Sequence, residues 1–395
     1  IAHIRDKDCP ASLCHDLVRA PCQSTCPAKV DVPGFLSLIG EERYAEAIRL
    51  HRERNPFAVV CSRVCPSFCE SKCRRMTIDG SVAVRHAKRF MVEQEASVEL
   101  PEVREDPKNG ERKIALIGGG PASLACGFFL ARLGYKPTLF EAEEYLGGMM
   151  MQGIPAYRLR REPLGYEIWM IKRMGVDVKT PMRLGKDFTL ESLRNDGYEA
   201  VFCGVGASHG TPLKIKGAEN GDVMDALQFL RDYNIRYGEL DLERMGRKVT
   251  VIGGGNAAID AARSALRLGA EEVSVIYRRS RDNMPAYEEE IEDAISEGID
   301  LELLTSPEEI VKSDGKITGV KCRRMQLGPF DSSGRRKPVA TEETVTVEAD
   351  TVIAAIGQEI RADQIFTTED VNLTEDGRIK ADSTTGATSI PWLFA

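Results

Sequence analysis

The sequence has 395 residues, 42% hydrophobic and 29% charged, which is ordinary for a soluble globular protein and too long for one core, so two or three domains are expected. A formal net charge of −8 argues against nucleic acid as a partner of the whole chain, and no apolar run is long enough to span a bilayer. The chain opens Ile1-Ala2-His3-Ile4 with neither Met nor a secretory signal, and is expected to be a piece of a longer protein.

Eight of the 11 cysteines precede residue 74, as Cys9, Cys14, Cys22 and Cys26, then Cys61, Cys65, Cys69 and Cys73. Thiolates crowded in this way usually hold metal, and two bunches of four suit two iron–sulfur clusters better than zinc or disulfides. The second bunch repeats at every fourth residue. If part of it is helical, Cys65 and Cys73 stand about 12 Å apart along the axis, too far to share one compact cluster easily. Cys73 is then expected to reach a different cluster from Cys65 and Cys69, so the bunches interleave. The pairs Cys26-Pro27 and Cys65-Pro66 also occur in ferredoxin-type runs.

Between the bunches, apolar positions at Phe35, Leu36, Ile39, Ala45, Ile48 and Leu50 predict a helix over 33–54, with Asp31 as a cap ahead of Pro33. A second helix is expected over 82–95, and the Pro-, Asp-, Glu- and Lys-rich stretch 99–112 reads as a linker.

At Lys113 the pattern changes to strand (114–117), glycine loop, helix and strand (137–140), ending at Glu141. A pyrophosphate needs close backbone approach and a helix N-terminus aimed at it. Gly118 permits the tight turn, Gly120 lets the backbone touch the phosphate, and Ser123 stands where a small third residue is needed. Glu141 is placed to bind ribose hydroxyls, which favours FAD or NAD over a 2′-phosphorylated nucleotide. A second such unit begins at Lys248: strand 249–252, then Gly253-Gly254-Gly255-Asn256-Ala257-Ala258, a helix to Leu268 and strand 273–277. Its last strand ends in Arg278, Arg279 and Arg281 with no acid, a pattern that favours NADP(H). Strand-like segments fill 301–357, with turn signals at Gly315-Lys316 and Asp331-Ser332-Ser333-Gly334. The nucleotide folds point to a reducing cytosol, hence a cytoplasmic location. Cys126, Cys203 and Cys322 are isolated, as small buried residues are, which argues against a redox-active disulfide beside a flavin.

Assembled, these residues resemble the glutamate synthase small-subunit family, which includes the N-terminal part of dihydropyrimidine dehydrogenase and the large subunit of an electron-bifurcating ferredoxin:NADP⁺ oxidoreductase. The resemblance rests on Cys22-Gln23-Ser24-Thr25-Cys26-Pro27, Val60-Cys61-Ser62-Arg63-Val64-Cys65-Pro66, Cys69-Glu70-Ser71-Lys72-Cys73 and Ile117-Gly118-Gly119-Gly120-Pro121-Ala122. It continues through Gly147-Gly148, Gly153-Ile154-Pro155-Ala156-Tyr157-Arg158-Leu159, Tyr277-Arg278-Arg279, Met284-Pro285-Ala286 and Ala355-Ile356-Gly357-Gln358.

The resemblance implies an α/β fold behind an N-terminal helical domain with two [4Fe-4S] clusters (1–110). Two Rossmann-like domains follow, an FAD domain (111–240 and 349–395) with an NADP(H) domain inserted at 241–348. It further implies that Gly118, Gly120, Pro121, Ala122, Ser123, Glu141, Gly148, Ile154, Arg158 and Gly357, with Gly253, Gly255, Asn256, Ala257, Arg278, Arg279 and Arg281, contact cofactors. Carried over, Cys14, Cys22 and Cys73 would serve one cluster, with Cys9 as fourth ligand, and Cys26, Cys65 and Cys69 the other. The last ligand of that other cluster stays open between Cys61 and His86, because Lys88 stands near where relatives carry Glu or Gln. Three residues separate Cys65 from Cys69, against five in the glutamate synthase subunit, which points to the bifurcating or hydrogenase-linked branch. A shorter resemblance, His3-Ile4-Arg5-Asp6-Lys7-Asp8-Cys9-Pro10-Ala11 to the end of the NADH-binding flavoprotein of complex I, implies an upstream NADH-oxidising module. The family's flavin-binding Gly-Asp motif would begin where the chain stops, at Ala395.

The implied activity is hydride exchange between NADP(H) and FAD, and single-electron exchange with two clusters, inside a bifurcating or transhydrogenase complex. Its partners would be other flavin and iron–sulfur subunits, with ferredoxin or an NADH-binding module as candidates. The alternatives are the glutamate synthase small subunit and a non-catalytic electron-relay or scaffold subunit.

Overall fold

The computed structural model describes residues 19–94, 100–103, 105–219, 221–236, 246–331, 334–360, 366 and 371–395. Cys9 and Cys14 lie outside the described residues.

The expected helix over 33–54 is two helices, Val32–Gly40 and Tyr44–Arg52. Gly40 ends the first, and Glu42 takes a left-handed φ of 60° that no helix tolerates. Asp31 caps as expected, accepting from Gly34 N–H at 3.1 Å. The cysteine repeat is likewise not one helix. Helix Ala58–Val64 stops at Cys65 because Pro66 forces the preceding residue into extended geometry. Ser67 then turns left-handed at φ 54° before the single turn Phe68–Ser71. The axial spacing assumed for Cys65 and Cys73 therefore does not apply. The later helix, expected over 82–95, runs Val84–Glu93. These helices share a core built on Val32, Phe35, Ile48, Ala58, Val84 and Met91.

The first nucleotide unit contains β1 (Ile114–Ile117), β2 (Thr138–Phe140), β3 (Asp177–Lys179) and β4 (Ala200–Cys203), paired in parallel. Next come β5 (His209–Gly210), β6 (Val223–Asp225), β7 (Lys248–Ile252), β8 (Glu272–Tyr277) and β9 (Asp300–Leu303). The long antiparallel strands β10 (Thr305–Ser313), β11 (Lys316–Phe330) and β12 (Arg336–Glu348) form their own three-stranded sheet. The chain closes with β13 (Thr351–Ala354), β14 (Gln358–Glu359) and β15 (Leu393–Phe394).

Strand order is β15-β4-β1-β2-β3 in the first sheet and β6-β13-β7-β8-β9 in the second. The return of β15 to the first sheet makes the second unit an insertion, as expected. Its borders differ from 241–348, because β6 and β13 both pair in the second sheet. The crossing strands β5 and β14 pair with each other and mark where the chain enters and leaves the insertion. Neither β6 nor β13 has the glycine loop that makes the unit recognisable in sequence.

The helical segment packs on the first unit: Phe57 and Val60 join the core of Leu116, Leu124, Phe128 and Leu139. Between them lies Glu167, fully buried on helix Arg161–Arg173. Its Oε1 accepts from Val59 N–H at 2.7 Å and its Oε2 from Val60 N–H at 3.1 Å. These are first-turn donors of helix Ala58–Val64, which has no side-chain cap of its own. Burial pushes the Glu167 carboxyl up to about 7, against the pull of its backbone donors, Arg52 and Arg63. Between its ordinary value of 4.5 and about 7, the folded carboxyl keeps a proton that the unfolded one has released. Stability therefore falls as pH rises through that window. Glu167→Gln is expected to remove this slope and to cost about 1–3 kcal/mol, because an amide NH₂ then faces one backbone donor. Urea denaturation across pH 4.5–7 checks it, and an unchanged slope would refute it.

Candidate functional site

Three groups of residues compose the site. In the first loop, β1 delivers the chain into Gly118 at φ +90°, where a Cβ would lie 2.5 Å from the Gly204 carbonyl oxygen. Only glycine fits that turn. Gly120 caps helix Pro121–Arg132 without a side-chain cap, and Pro121 at its start has no N–H to leave unsatisfied. The N–H groups behind it, from Ala122 on, face outward at the positive end of the helix, which suits a pyrophosphate. Ser123 is fully buried and donates to the Ile117 carbonyl at 3.2 Å, so its hydroxyl locks the helix to β1. Gly148 sits against Gly120, and Gly147 N–H donates to the Gly119 carbonyl at 2.8 Å.

Glu141 is buried at the end of β2. Its Oε2 accepts from Gly119 N–H, and its Oε1 accepts from Glu143 N–H at 2.7 Å. Burial raises this carboxyl above its ordinary value while those backbone donors lower it. The carboxylate thus clamps the loop, and its remaining lone pairs are available to ribose hydroxyls. Ile154 packs on the same core, and its carbonyl accepts from Arg161 Nη2 at 2.9 Å.

The second loop repeats the construction. Gly253 has φ +148°, with the Ala355 carbonyl oxygen 2.3 Å from a hypothetical Cβ, and Gly255 caps helix Asn256–Arg267 with no side-chain bond. Above it opens a cleft of about 730 Å³. Gly253, Gly255, Asn256, Ala257, Arg278, Arg279 and Gly357 all line it. Asn256 Oδ1 accepts from Tyr287 N–H at 3.0 Å, tying the loop to helix Glu288–Ser296.

The three arginines separate. Arg278 is exposed at the cleft edge and forms no hydrogen bond or ion pair among the described residues. Arg279 is 5% exposed, with Nη2 at 2.7 Å from Asp331 Oδ2 and Nε donating to the Arg336 carbonyl at 2.9 Å. Arg281 pairs with Glu288 and Glu292 and is not among the residues lining the cleft. Arg158 is also engaged: it joins the two nucleotide units, with Nη1 2.6 Å from Asp260 Oδ2 and Nε 2.8 Å from Glu290 Oε1. Sequence spacing does not reveal this link, because its partners lie far along the chain.

Among the described residues, no three His, Cys, Asp or Glu side chains already stand in metal-binding geometry. The thiols are nevertheless gathered. Cys22, Cys26 and Cys69 pack on one core, with helix Pro21–Thr25 beside Phe68–Ser71. Cys22 feels the charge of Cys73, from the other bunch, while Cys69 feels Cys65. Burial raises both Cys22 and Cys69, the latter to about 11. A bound iron's positive charge acts the opposite way, so donor chemistry and grouping fit a cluster.

Cys61 is half-buried toward the first unit's core, accepts from Asn55 Nδ2 at 3.3 Å and feels Cys65. His86 is exposed two residues before buried Lys88, about 200° around the helix, while Lys88's charge reaches Cys61 and Cys69. Of the two alternatives, Cys61 is the one on the cysteine side. Cys203 and Cys322 are buried and raised to about 12, and Cys126 is half-buried and raised to about 11, all by burial, as inert packing thiols are.

Comparison with known proteins agrees with this division. The pyridine nucleotide-disulphide oxidoreductase family matches residues 112–395, and the family described as dihydropyrimidine dehydrogenase domain II, 4Fe-4S cluster, matches residues 5–100. The chain is 40% identical to NADP(+)-dependent formate dehydrogenase subunit beta of Moorella thermoacetica, covering 96% of this chain and 56% of that protein. It is 42% identical to NADPH-Fe(3+) oxidoreductase subunit beta of Geobacter sulfurreducens, over 87% of this chain and 52% of that one. The chain thus spans little more than half the length of these two relatives. Against the glutamate synthase [NADPH] small chain of Escherichia coli, identity is 33%, with 95% and 82% covered. Mycobacterium tuberculosis FprA, solved in complex with NADPH, shares the fold: TM-score 0.60 at 20% identity, over 72% of this chain and 78% of FprA. Among the described residues no helix is long and apolar enough to cross a membrane.

Proposed function

Because this chain belongs to the pyridine nucleotide-disulphide oxidoreductase family, in the branch shared with the glutamate synthase small chain, we propose that it is the NADP(H)-oxidising flavin and iron–sulfur module of a larger redox assembly. FAD, NADP(H) and a [4Fe-4S] cluster accord with the two matched families; a second cluster is part of the proposal. When bound, these groups supply hydride acceptance and one-electron storage.

The chain's own residues bind and place them. The backbone after Gly118 and Gly120, with Pro121, Ala122 and Gly148 around it, holds the flavin pyrophosphate, and Glu141 offers its spare lone pairs to the ribose. The backbone of Gly255, Asn256 and Ala257 holds the nicotinamide nucleotide's pyrophosphate, and Arg278 meets its 2′-phosphate. Cys22 and Cys73, with Cys9 and Cys14, hold one cluster. Cys26, Cys65 and Cys69, with Cys61 as the available fourth thiolate, hold the other. No proton donor is required for hydride transfer itself.

The observation that carries this reading is Arg278, a guanidinium without a partner among the described residues, just past β8 on the edge of a cleft floored by a glycine loop and a helix N-terminus. The higher identities to the formate-linked and Fe(3+)-linked subunits favour a role beside other redox subunits, and the thiols that hold the clusters suit the reducing cytoplasm. A bifurcating or transhydrogenase complex is one such assembly.

The test mixes the anaerobically purified full-length protein with NADPH or NADH and follows flavin bleaching. NADPH is expected to be preferred, and Arg278→Ala to weaken it by roughly tenfold to a hundredfold while leaving NADH nearly unchanged. Bleaching by neither nucleotide defeats the proposal, and preference for NADH defeats the role of Arg278.

A further inference from the structure

The strand end that carries Arg278 has a neighbour with no counterpart in the glycine-loop pattern. Beyond β8, the cleft wall consists of Ser306 and Pro307 from β10 and Arg335 from the turn between β11 and β12. We propose that Arg335 is a specificity-determining residue of this cleft and closes with Arg278 on the 2′-phosphate of NADP(H). This rests on the NADP(H) reading above.

The argument starts from Arg279. Its guanidinium is not turned to the cleft alone: it grips Asp331 Oδ2 at 2.7 Å and the Arg336 carbonyl at 2.9 Å. Asp331 in turn organises the turn that holds Arg335. Its Oδ1 accepts from Arg335 N–H at 3.2 Å, and its own N–H donates to the Arg335 carbonyl at 2.7 Å. Leu304 N–H also donates to the Arg279 carbonyl, at 3.1 Å, where β9 passes into β10. The end of β8 and the tip of the β11–β12 hairpin are thereby fastened at one ion pair, buried on the Arg279 side and half-buried on the Asp331 side.

Two adjacent arginines divide the work. Arg278 faces the cleft, and Arg279 positions the turn that brings a third arginine to the same cleft. A phosphate dianion presents several acceptor oxygens, and guanidinium groups from two directions satisfy them better than one. The charges around the opening agree. Its lining holds Arg278, Arg279 and Arg335 with a single acid, Asp225, whose oxygens already accept from Gly210 N–H at 2.9 Å and Leu227 N–H at 2.8 Å. Phosphate at the β8 end thus meets positive charge and no competing free carboxylate from the lining.

The probes are 2′,5′-ADP and 5′-AMP, which differ only in the 2′-phosphate, titrated by calorimetry into the full-length protein with its cofactors. Wild type is expected to bind 2′,5′-ADP much more tightly. Arg335→Ala is expected to weaken 2′,5′-ADP by roughly tenfold to a hundredfold and to leave 5′-AMP within about twofold. Asp331→Asn, which loosens the turn but keeps Arg335, is expected to move 2′,5′-ADP in the same direction by less. Arg335→Gln serves as a second variant should the alanine form aggregate. If wild type does not distinguish the two probes, the NADP(H) reading itself fails. If wild type distinguishes them and both Arg335 variants do so equally well, or lose both probes equally, this inference fails and that reading stands.

Discussion

Arg158→Ala is expected to destabilise the protein by about 3–5 kcal/mol, the scale for removing one partner from a buried ion pair. Arg158, Asp260 and Glu290 have side chains 9%, 5% and 15% exposed, so Asp260 would be stranded where water cannot replace the guanidinium, while Glu290 would keep Arg263 alone. The surroundings leave little room for relaxation. Arg263 is 2.8 Å from the other oxygen of Glu290 and 2.7 Å from Glu297. Tyr157 lies under both Arg263 and Arg267, at 4.9 and 4.1 Å from its ring centre.

The deficit should grow with pH. Burial already pushes the Asp260 carboxyl up to about 7 in spite of Arg158, and without Arg158 it moves higher. A raised acid binds more protons folded than unfolded, so its contribution to stability falls as pH rises through the folded value. The difference between variant and parent therefore widens above about pH 7. Urea titrations at pH 6 and pH 8 read this out, with Asp260→Asn in the Arg158→Ala background expected to recover part of the loss. Coincident denaturation curves for parent and variant would show that this link does not hold the two nucleotide units together.

Cys69→Ala and Cys73→Ala are expected to remove different iron. If the bunches interleave, each variant keeps about half of the iron and acid-labile sulfide, and the double variant keeps almost none. The charge of Cys73 acting on Cys22, and that of Cys65 acting on Cys69, beside the expected interleaving, motivates this split. Iron analysis and low-temperature EPR of the dithionite-reduced proteins give the answer. A double variant no worse than either single one would place Cys69 and Cys73 on the same cluster. Since metal binding to such a domain is also folding energy, each variant should lose helical signal as well as iron.

The local grammar of the chain is legible in its sequence. Each strand–glycine–helix unit lies within about 30 residues, and its requirements are met by immediate neighbours. A left-handed turn needs glycine, a helix start needs an uncapped N-terminus, and a strand end needs a charged residue of one sign. Gly118, Gly253 and the basic end of β8 are therefore readable, as is the crowding of thiols near the N-terminus. Where periodicity misleads, a short-range breaker outranks it. Gly40 with Glu42 splits one expected helix, and Pro66 with Ser67 interrupts the cysteine repeat.

The limits of the inserted unit escape local reading for another reason. β6 and β13 are short strands recognisable only by the sheet they join, so the expected borders of 241–348 give way to an insertion bracketed by β5 and β14. Charge pairing is the least legible of all. Arg158, Arg279 and Arg281 look alike in sequence, as basic residues in motifs. The fold sends Arg158 to Asp260 and Glu290, Arg279 to Asp331, and Arg281 to Glu288 and Glu292, and leaves Arg278 facing the cleft.

Sequence by itself determined which kinds of group this protein is built around, because glycine turns, helix starts and clustered thiols act through bonds and neighbours a few residues away. Tertiary structure alone decided which charges are committed to holding domains together and which remain for a ligand. A guanidinium that folding carries out of water must be met by whatever acid the fold brings to it, and those acids come from positions that no local pattern connects.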